Sequence, residues 1–266
     1  MERHRQLIAS FLLSPRVKYR SLGKTLDGQD MDMLVIGSSD SKETTPKKNC
    51  WIIARQHPGE TMAEWFMEGW LSRITDPTDS VATQLLKEAN FYVVPNMNPD
   101  GSRRGNLRTN AAGANLNREW LTPTLEKSPE VFLVRQQMQK VGLDYCLDVH
   151  GDEALPYNFI AGAEGVPKWS ERLKDLQETY KSSLVRSCPD FQTKFGYDVD
   201  KPGEANMTIC TNYIAETFDA LSMTLEMPFK DNANEPCKAH GWSPERARKL
   251  GSANLDALYE VVSRLR

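Results

Sequence analysis

Apolar residues along the chain fall into two kinds of run. In residues 2–13, 61–74, 80–89 and 168–185 they recur at helical spacing. Between these stretches stand short continuous runs, 31–36, 50–54, 91–94, 143–149 and 221–225, with 157–160 a further candidate. Runs of that length, bounded by turn residues, predict strands buried on both faces. The polar segment 38–48 reads as a turn or hairpin loop. Ser128-Pro129-Glu130 and Ser243-Pro244-Glu245 each set a capping residue before a proline and an acid, which predicts a helix start. The first of these helices should stop at Gly142 and the second run to the carboxyl end. Strands alternating with helices predict an α/β fold: a three-layer α/β/α domain with a mixed, mostly parallel central sheet and helices on both faces.

In sheets of this kind, ligands bind beyond the carboxyl ends of strands, so polar residues just past the predicted strands are the ones to examine. His57-Pro58-Gly59-Glu60 follows the strand 50–54. Pro58 and Gly59 disfavour a helix there, and a tight turn can aim both the imidazole and the carboxylate at one point, as zinc ligation requires. A His-to-Glu spacing this short is also common by chance. His150 ends the strand 143–149, and Asp148 shares its face two residues earlier, where it could orient the ring. Read alone, His150 is equally a strand-end residue beside a solvated loop. His4 and His240 stand in polar surroundings and read as surface residues. Glu226 closes the strand 221–225; a carboxylate there is either half of a structural ion pair or a proton-transfer group with a raised pKa. The segment 96–120 has no periodicity and carries Arg103, Arg104, Arg108 and Arg118. Asn98-Pro99-Asp100-Gly101 reads as a turn, and the four arginines read as an anion site or as a solvated basic loop.

Composition narrows the class. With 39 % hydrophobic and 26 % charged residues over 266 positions, the chain is an ordinary globular one. Thirty-three basic residues nearly balance thirty-six acidic ones, so no nucleic-acid or membrane partner is expected. No apolar run reaches the roughly 20 residues a membrane span needs, and residues 1–16 lack the pattern of a cleavable secretory signal. Five scattered cysteines without a CxxC pair read as free thiols in a reducing compartment, which makes the cytoplasm the expected location.

Taken together, His57-Pro58-Gly59-Glu60, Asn98-Pro99-Asp100-Gly101, Arg108, Asn115-Leu116-Asn117-Arg118, Asp148-Val149-His150-Gly151 and Thr224-Leu225-Glu226 resemble, in this order, the motifs of zinc metallocarboxypeptidases of the carboxypeptidase A type. The short spacings are most similar to the cytosolic carboxypeptidase branch, and the resemblance spans residues 19–266. It implies a single catalytic domain over residues 1–266, with residues 1–30 a helical lead-in and linker. The cytosolic branch often carries an additional amino-terminal β-domain, and the expectation here is a chain that begins close to the catalytic domain. The resemblance further implies one zinc ion held by His57, Glu60 and His150, with Glu226 as the general base. Arg108 would stabilise the oxyanion, Asn117 and Arg118 would grip the substrate's terminal carboxylate, and Tyr197 would close over the substrate, with Tyr213 the alternative. The substrate would be the C-terminal tail of a peptide or protein.

One position departs from the family pattern. An aspartate usually orients the first zinc histidine; here that position is Asn115, which offers an acceptor without a full charge. The competing readings are a zinc amidohydrolase acting on small N-acyl amino acids and a binding module without turnover. The second of these is disfavoured because His57, Glu60, His150, Glu226 and Arg108 are all present.

Overall fold

The computed structural model describes residues 1–37 and 46–266; most of the turn expected at 38–48 lies outside the described residues. In chain order the elements are α1 (Glu2–Phe11), β1 (Val17–Lys24), β2 (Asp30–Ile36), β3 (Lys48–Ala54), α2 (Met62–Thr75), α3 (Ser80–Glu88), β4 (Ala89–Val94), α4 (Pro99–Arg104), α5 (Pro129–Val141), β5 (Tyr145–Val149), β6 (Phe159–Ala161), α6 (Glu171–Ser187), α7 (Cys210–Phe218), β7 (Leu221–Glu226) and α8 (Pro244–Tyr259). Seven strands form one sheet in the order β1-β2-β4-β3-β5-β7-β6. The four central strands, β4, β3, β5 and β7, are parallel, while β1, β2 and β6 join by antiparallel pairing. This is the mixed, centrally parallel α/β sheet expected from the strand pattern.

Period-two alternation sorts the strand residues into two cores. Cys50, Ile52 and Ala54 of β3, with Tyr145, Leu147 and Val149 of β5, pack against α2, α6 and α8. Trp51, Ile53 and Cys146 point the other way, against α5 and α7. A strand covered on both faces has no room for polar alternation, which is why β3 reads as a continuous apolar run. Each fully buried isoleucine there stabilises the fold by roughly 1.5–3 kcal/mol. All five cysteines are free thiols, and four of them are buried.

The structure differs from the sequence reading at several points. Residues 17–24, within the stretch read as lead-in and linker, form the edge strand β1, whose exposed side chains give no apolar signal. Asn98-Pro99-Asp100-Gly101 is the start of helix α4 rather than a turn: the Asn98 side chain accepts from the Gly101 N–H at 3.0 Å, and Pro99 takes the first helical position. Ser128 stands at the start of α5 without making a side-chain cap.

His4 is a correction of a different kind. It is not a surface residue but only 4 % exposed, because on α1 it shares a face with Leu7 and Ile8. Its Nδ1 lies 2.6 Å from Glu64 Oε1 and its Nε2 2.9 Å from Asp32 Oδ2. Burial would lower its pKa, but the hydrogen bonds and charges of Asp32 and Glu64 outweigh burial and raise it to about 9. A group whose pKa is higher folded than unfolded stabilises fully below its unfolded value, near 6.5 for histidine, and loses that stabilisation as pH rises through the folded value. The contribution is on the order of 3 kcal/mol. The stability difference between wild type and His4→Gln, from urea midpoints, should therefore be large at pH 6 and mostly gone by pH 10. A difference that persists unchanged to pH 10 would show that His4 acts by packing instead.

Candidate metal centre and cleft

Chain geometry at the end of β3 builds the first half of the site. Arg55 adopts φ 61°, a conformation that costs a non-glycine residue about 1–3 kcal/mol and turns the chain sharply off the strand. Its guanidinium donates to Pro58 O at 2.9 Å and pairs with Glu64 on α2, which holds the turn 56–60 against that helix. Gly59 and Gly101 are required by close approach. A Cβ on Gly59 would meet the Leu107 carbonyl oxygen at 2.9 Å, and one on Gly101 would meet Pro58 Cγ at 2.4 Å. The turn and the loop that carries Arg108 are thus packed backbone to backbone.

Three side chains converge at this turn. His57 Nδ1 is 2.6 Å from Glu60 Oε1, and His150 Nδ1 is 2.8 Å from Glu60 Oε2. The two rings lie 4.9 Å apart, and the three residues are 5 %, 3 % and 1 % exposed (His57, Glu60, His150). Among the described residues, these three form a group able to hold a metal ion, with ligand atoms all within 4.8 Å of one another. Each far nitrogen has its own acceptor: His57 Nε2 is 2.9 Å from Asn115 Oδ1, and His150 Nε2 is 2.9 Å from Asp148 Oδ2. Those contacts place the ring proton on Nε2 and leave both Nδ1 lone pairs aimed at one point, an arrangement common in zinc sites.

The electrostatics agree with a cation there. Burial would raise the Glu60 pKa, but the charges and hydrogen bonds of His150 and His57 outweigh it and hold the carboxyl down at about 2. His150, though fully buried, is held well above its ordinary value by Asp148 and Glu60. Both shifts mark a site that favours positive charge between Glu60 and His150, the position a metal ion would take in place of a ring proton. The residues therefore fit a zinc ion: two imidazoles and one carboxylate, in donor types and spacing suited to it.

Glu226 closes β7 beside this group. Its Oε1 lies 3.1 Å from the Tyr197 hydroxyl, while its buried Oε2 has no protein partner. Burial pushes its pKa up to about 8; His150 opposes that rise, and the charges of Glu60 and Asp152 add to it. A divalent cation between His57, Glu60 and His150 would bring it down again. A cleft of about 970 Å³ opens here, lined by His57, Glu60, Arg108, Asn117, Arg118, Tyr197 and Glu226 among others.

The structure thus brings together all eight of the predicted site residues, and it divides the four arginines. Arg108 and Arg118 line the cleft and lie close enough for the Arg108 charge, after burial, to lower the Arg118 pKa. Arg104 instead pairs with Asp27, and Arg103 is exposed outside the cleft. Asn117 is fixed by the Cys210 N–H, which donates to its Oδ1 at 2.9 Å. Of the two tyrosines, Tyr197 reaches Glu226, whereas Tyr213 is buried against Trp120 and Arg135 away from the cleft.

Two residues escape the sequence reading. Gln56, fully buried, donates to Asp148 Oδ2 at 2.6 Å and accepts from the Trp120 indole at 2.9 Å, so it locks the acceptor behind His150. Its one sequence signal is an uncharged polar residue between an apolar strand and His57. Asp152 accepts from the Tyr197 hydroxyl; an acid two positions past His150 is its only sign.

Comparison with known proteins places this geometry. The chain matches the zinc carboxypeptidase family over residues 12–247. It is 52 % identical over 265 residues to an uncharacterised protein of Zymomonas mobilis, covering 100 % of this chain and 68 % of that protein. Cytosolic carboxypeptidase 3 of Bos taurus is 32 % identical over 190 residues, 67 % of this chain but only 18 % of the bovine protein. Among solved structures, a metallo-carboxypeptidase from Pseudomonas aeruginosa in complex with (2-guanidinoethylmercapto)succinic acid superposes with TM-score 0.95 at 43 % identity, covering 100 % of this chain and 69 % of that one. A metallo-carboxypeptidase from Burkholderia cenocepacia gives TM-score 0.94 at 47 % identity, with 99 % and 70 % covered. Sequence, fold and the His57–Glu60–His150 group all agree, and the chain belongs to the zinc carboxypeptidase family of hydrolases.

Proposed function

We propose that this protein removes residues one at a time from the C-terminal end of peptides or protein tails. The observation that carries the reading is the charge layout of the cleft. Arg108 and Arg118, neither paired with a carboxylate among the described residues, line the same cleft as His57, Glu60 and Glu226. A terminal carboxylate is the group two such guanidinium ions would hold.

When bound by His57, Glu60 and His150, zinc supplies Lewis-acid polarisation of water and of the scissile carbonyl. The chain's own residues do the rest. Arg118 and Asn117 hold the terminal carboxylate and so set the last peptide bond in place. Arg108 offers fixed positive charge where the carbonyl oxygen gains negative charge. The Glu226 carboxylate, one oxygen of which has no protein partner, takes a proton from the attacking water as the water oxygen bonds to the carbonyl carbon. It then returns that proton to the amide nitrogen, the C–N bond breaks, and the products are a shortened peptide and a free amino acid. Tyr197 covers the substrate from the open side.

The cleft volume, about 970 Å³, leaves room for residues upstream of the scissile bond, which favours peptides over small N-acyl amino acids. The ligand of the Pseudomonas relative carries carboxylates of the kind the Arg118 subsite would take here. Free cysteines and cytosolic carboxypeptidase relatives support a cytoplasmic setting, and no helix among the described residues is long and apolar enough to cross a membrane.

The direct test is stepwise shortening of peptides by the zinc-loaded protein, followed by mass spectrometry beside a panel of N-acyl amino acids. Turnover of the panel alone would transfer the site to amidohydrolase chemistry. Glu226→Gln should lower kcat by about 10²–10⁴ while zinc content, measured by metal analysis, is unchanged. Activity surviving that change would remove Glu226 as the base. Arg118→Ala should act mainly through KM, by at least about tenfold; an effect confined to kcat would contradict its role in holding the carboxylate. Asn115→Asp should tighten zinc about 10–100-fold in competition with a chelator, because the His57 Nε2–H would then face a full negative charge. Unchanged affinity would mean that the amide already orients the ring as well as a carboxylate does.

A further inference from the structure

Asp152 takes part in no step described above, yet its side chain is fixed with care. It sits where the pairing of β5 with β7 continues past the strand ends: its N–H donates to Met227 O at 2.8 Å, and it forms a bridge with Pro228. Carboxylate Oδ1 accepts from the backbone N–H groups of Ala154 and Leu155 at 2.7 and 2.6 Å. These contacts lock the carboxylate plane and turn the second oxygen, Oδ2, outward. That oxygen accepts a hydrogen bond from the Tyr197 hydroxyl, which also lies 3.1 Å from Glu226 Oε1.

The rest of the tyrosine is supported by packing. Its ring meets Phe159 edge-on at 4.9 Å, and Gly196 lies so close to the same phenyl that a Cβ would stand 3.0 Å from it. Gln192 Oε1 accepts from the N–H groups of Lys194 and Phe195, both at 2.7 Å, and shapes the approach to Tyr197. Tyr197 is nevertheless 49 % exposed, so packing alone does not determine where its hydroxyl points. Burial, with the charges of Glu226 and Asp152, holds the phenol well above its ordinary pKa, and it remains a hydrogen-bond donor.

We propose that Asp152 is a positioning residue: it latches Tyr197 across the cleft, with the phenol against Glu226. A turn cap alone would use only one carboxylate oxygen; the second is committed to Tyr197. The proposal rests on the reading of Tyr197 and Glu226 as site residues. Pre-organisation of this kind removes an ordering cost from substrate binding.

Asp152→Asn keeps the turn, since an amide oxygen still accepts from Ala154 and Leu155, but replaces the charged acceptor for the phenol with a neutral amide nitrogen that can only donate to it. With zinc-loaded protein, Asp152→Asn and Tyr197→Phe should each lower kcat/KM about tenfold, chiefly through KM, and the double variant should be no worse than Tyr197→Phe alone. Losses that multiply would overturn the latch and leave Asp152 a cap. A second readout needs no turnover: in protein labelled with 3-fluorotyrosine, the ¹⁹F signal absent from Tyr197→Phe should shift and sharpen in Asp152→Asn. An unmoved signal would overturn the proposal. Absence of peptidase activity in the wild type, by contrast, would count against the proposed function and leave the fluorine comparison to decide on the latch.

Discussion

Parallel pairing brings the ends of three strands level. Ala54 lies beside Val149 and Val149 beside Leu225, so β3, β5 and β7 stop along one line. Chain direction then delivers a different group beyond each strand: the turn with His57 and Glu60 after the first, His150 after the second, and Glu226 closing the third. A slip of one residue in either pairing would turn alternate side chains to the opposite face and move Asp148, which orients His150, into the wrong core. The two apolar cores matter to function because they hold this register. The site's side chains could not meet without it, since they come from positions up to 169 residues apart (Glu226 and His57).

Collecting these groups is costly. Glu60, Asp148, His150 and Glu226 are all buried, and a buried charge without a partner would cost several kcal/mol. The fold meets that cost by pairing opposites: each oxygen of Glu60 takes one imidazole, and Asp148 takes both His150 and Gln56. Asp148 and Glu226 each keep one buried oxygen without a hydrogen-bond partner, and of the two only Glu226 lines the cleft. An unpaired buried carboxylate oxygen is destabilising in a purely structural setting. The Glu226 side chain, however, stands beside three metal-binding side chains and lines the cleft, where a carboxylate is a group through which a proton could move.

The parts of this arrangement visible in the sequence are those with local causes. Continuous apolar runs mark the buried strands, and residues placed just beyond them point to His57, Glu60, His150 and Glu226. The edge strand β1 is invisible because its side chains face solvent, and α4 is obscured by Gly101, which reads as a turn residue although Asn98 and Pro99 form a good helix start. His4 misleads because its immediate neighbours are polar; its burial comes from Leu7 and Ile8, one turn away, and from partners 28 and 60 residues distant. Gln56, Asp152 and the choice between Tyr197 and Tyr213 depend on contacts between segments that no local pattern encodes. Four clustered arginines look alike in the sequence, and only the packing of the loop separates the two that line the cleft from the two that do not.

The two imidazoles of the site are not equivalent, and the difference lies in the groups that stand behind them. His150 Nε2 faces the carboxylate of Asp148, whereas His57 Nε2 faces the neutral amide of Asn115. A charged acceptor raises the basicity of the opposite ring nitrogen more than an amide does. Gln56 moderates that contrast, since its N–H donates to the same Asp148 oxygen and disperses part of its charge. Asn115 Oδ1 is further divided, because it also accepts from the Asn117 N–H at 3.1 Å. That shared contact ties the His57 ring to the residue proposed to hold the substrate's carboxylate. A neutral, shared acceptor leaves His57 the weaker donor of the pair, and it couples the metal side of the cleft to the substrate side through a single amide oxygen.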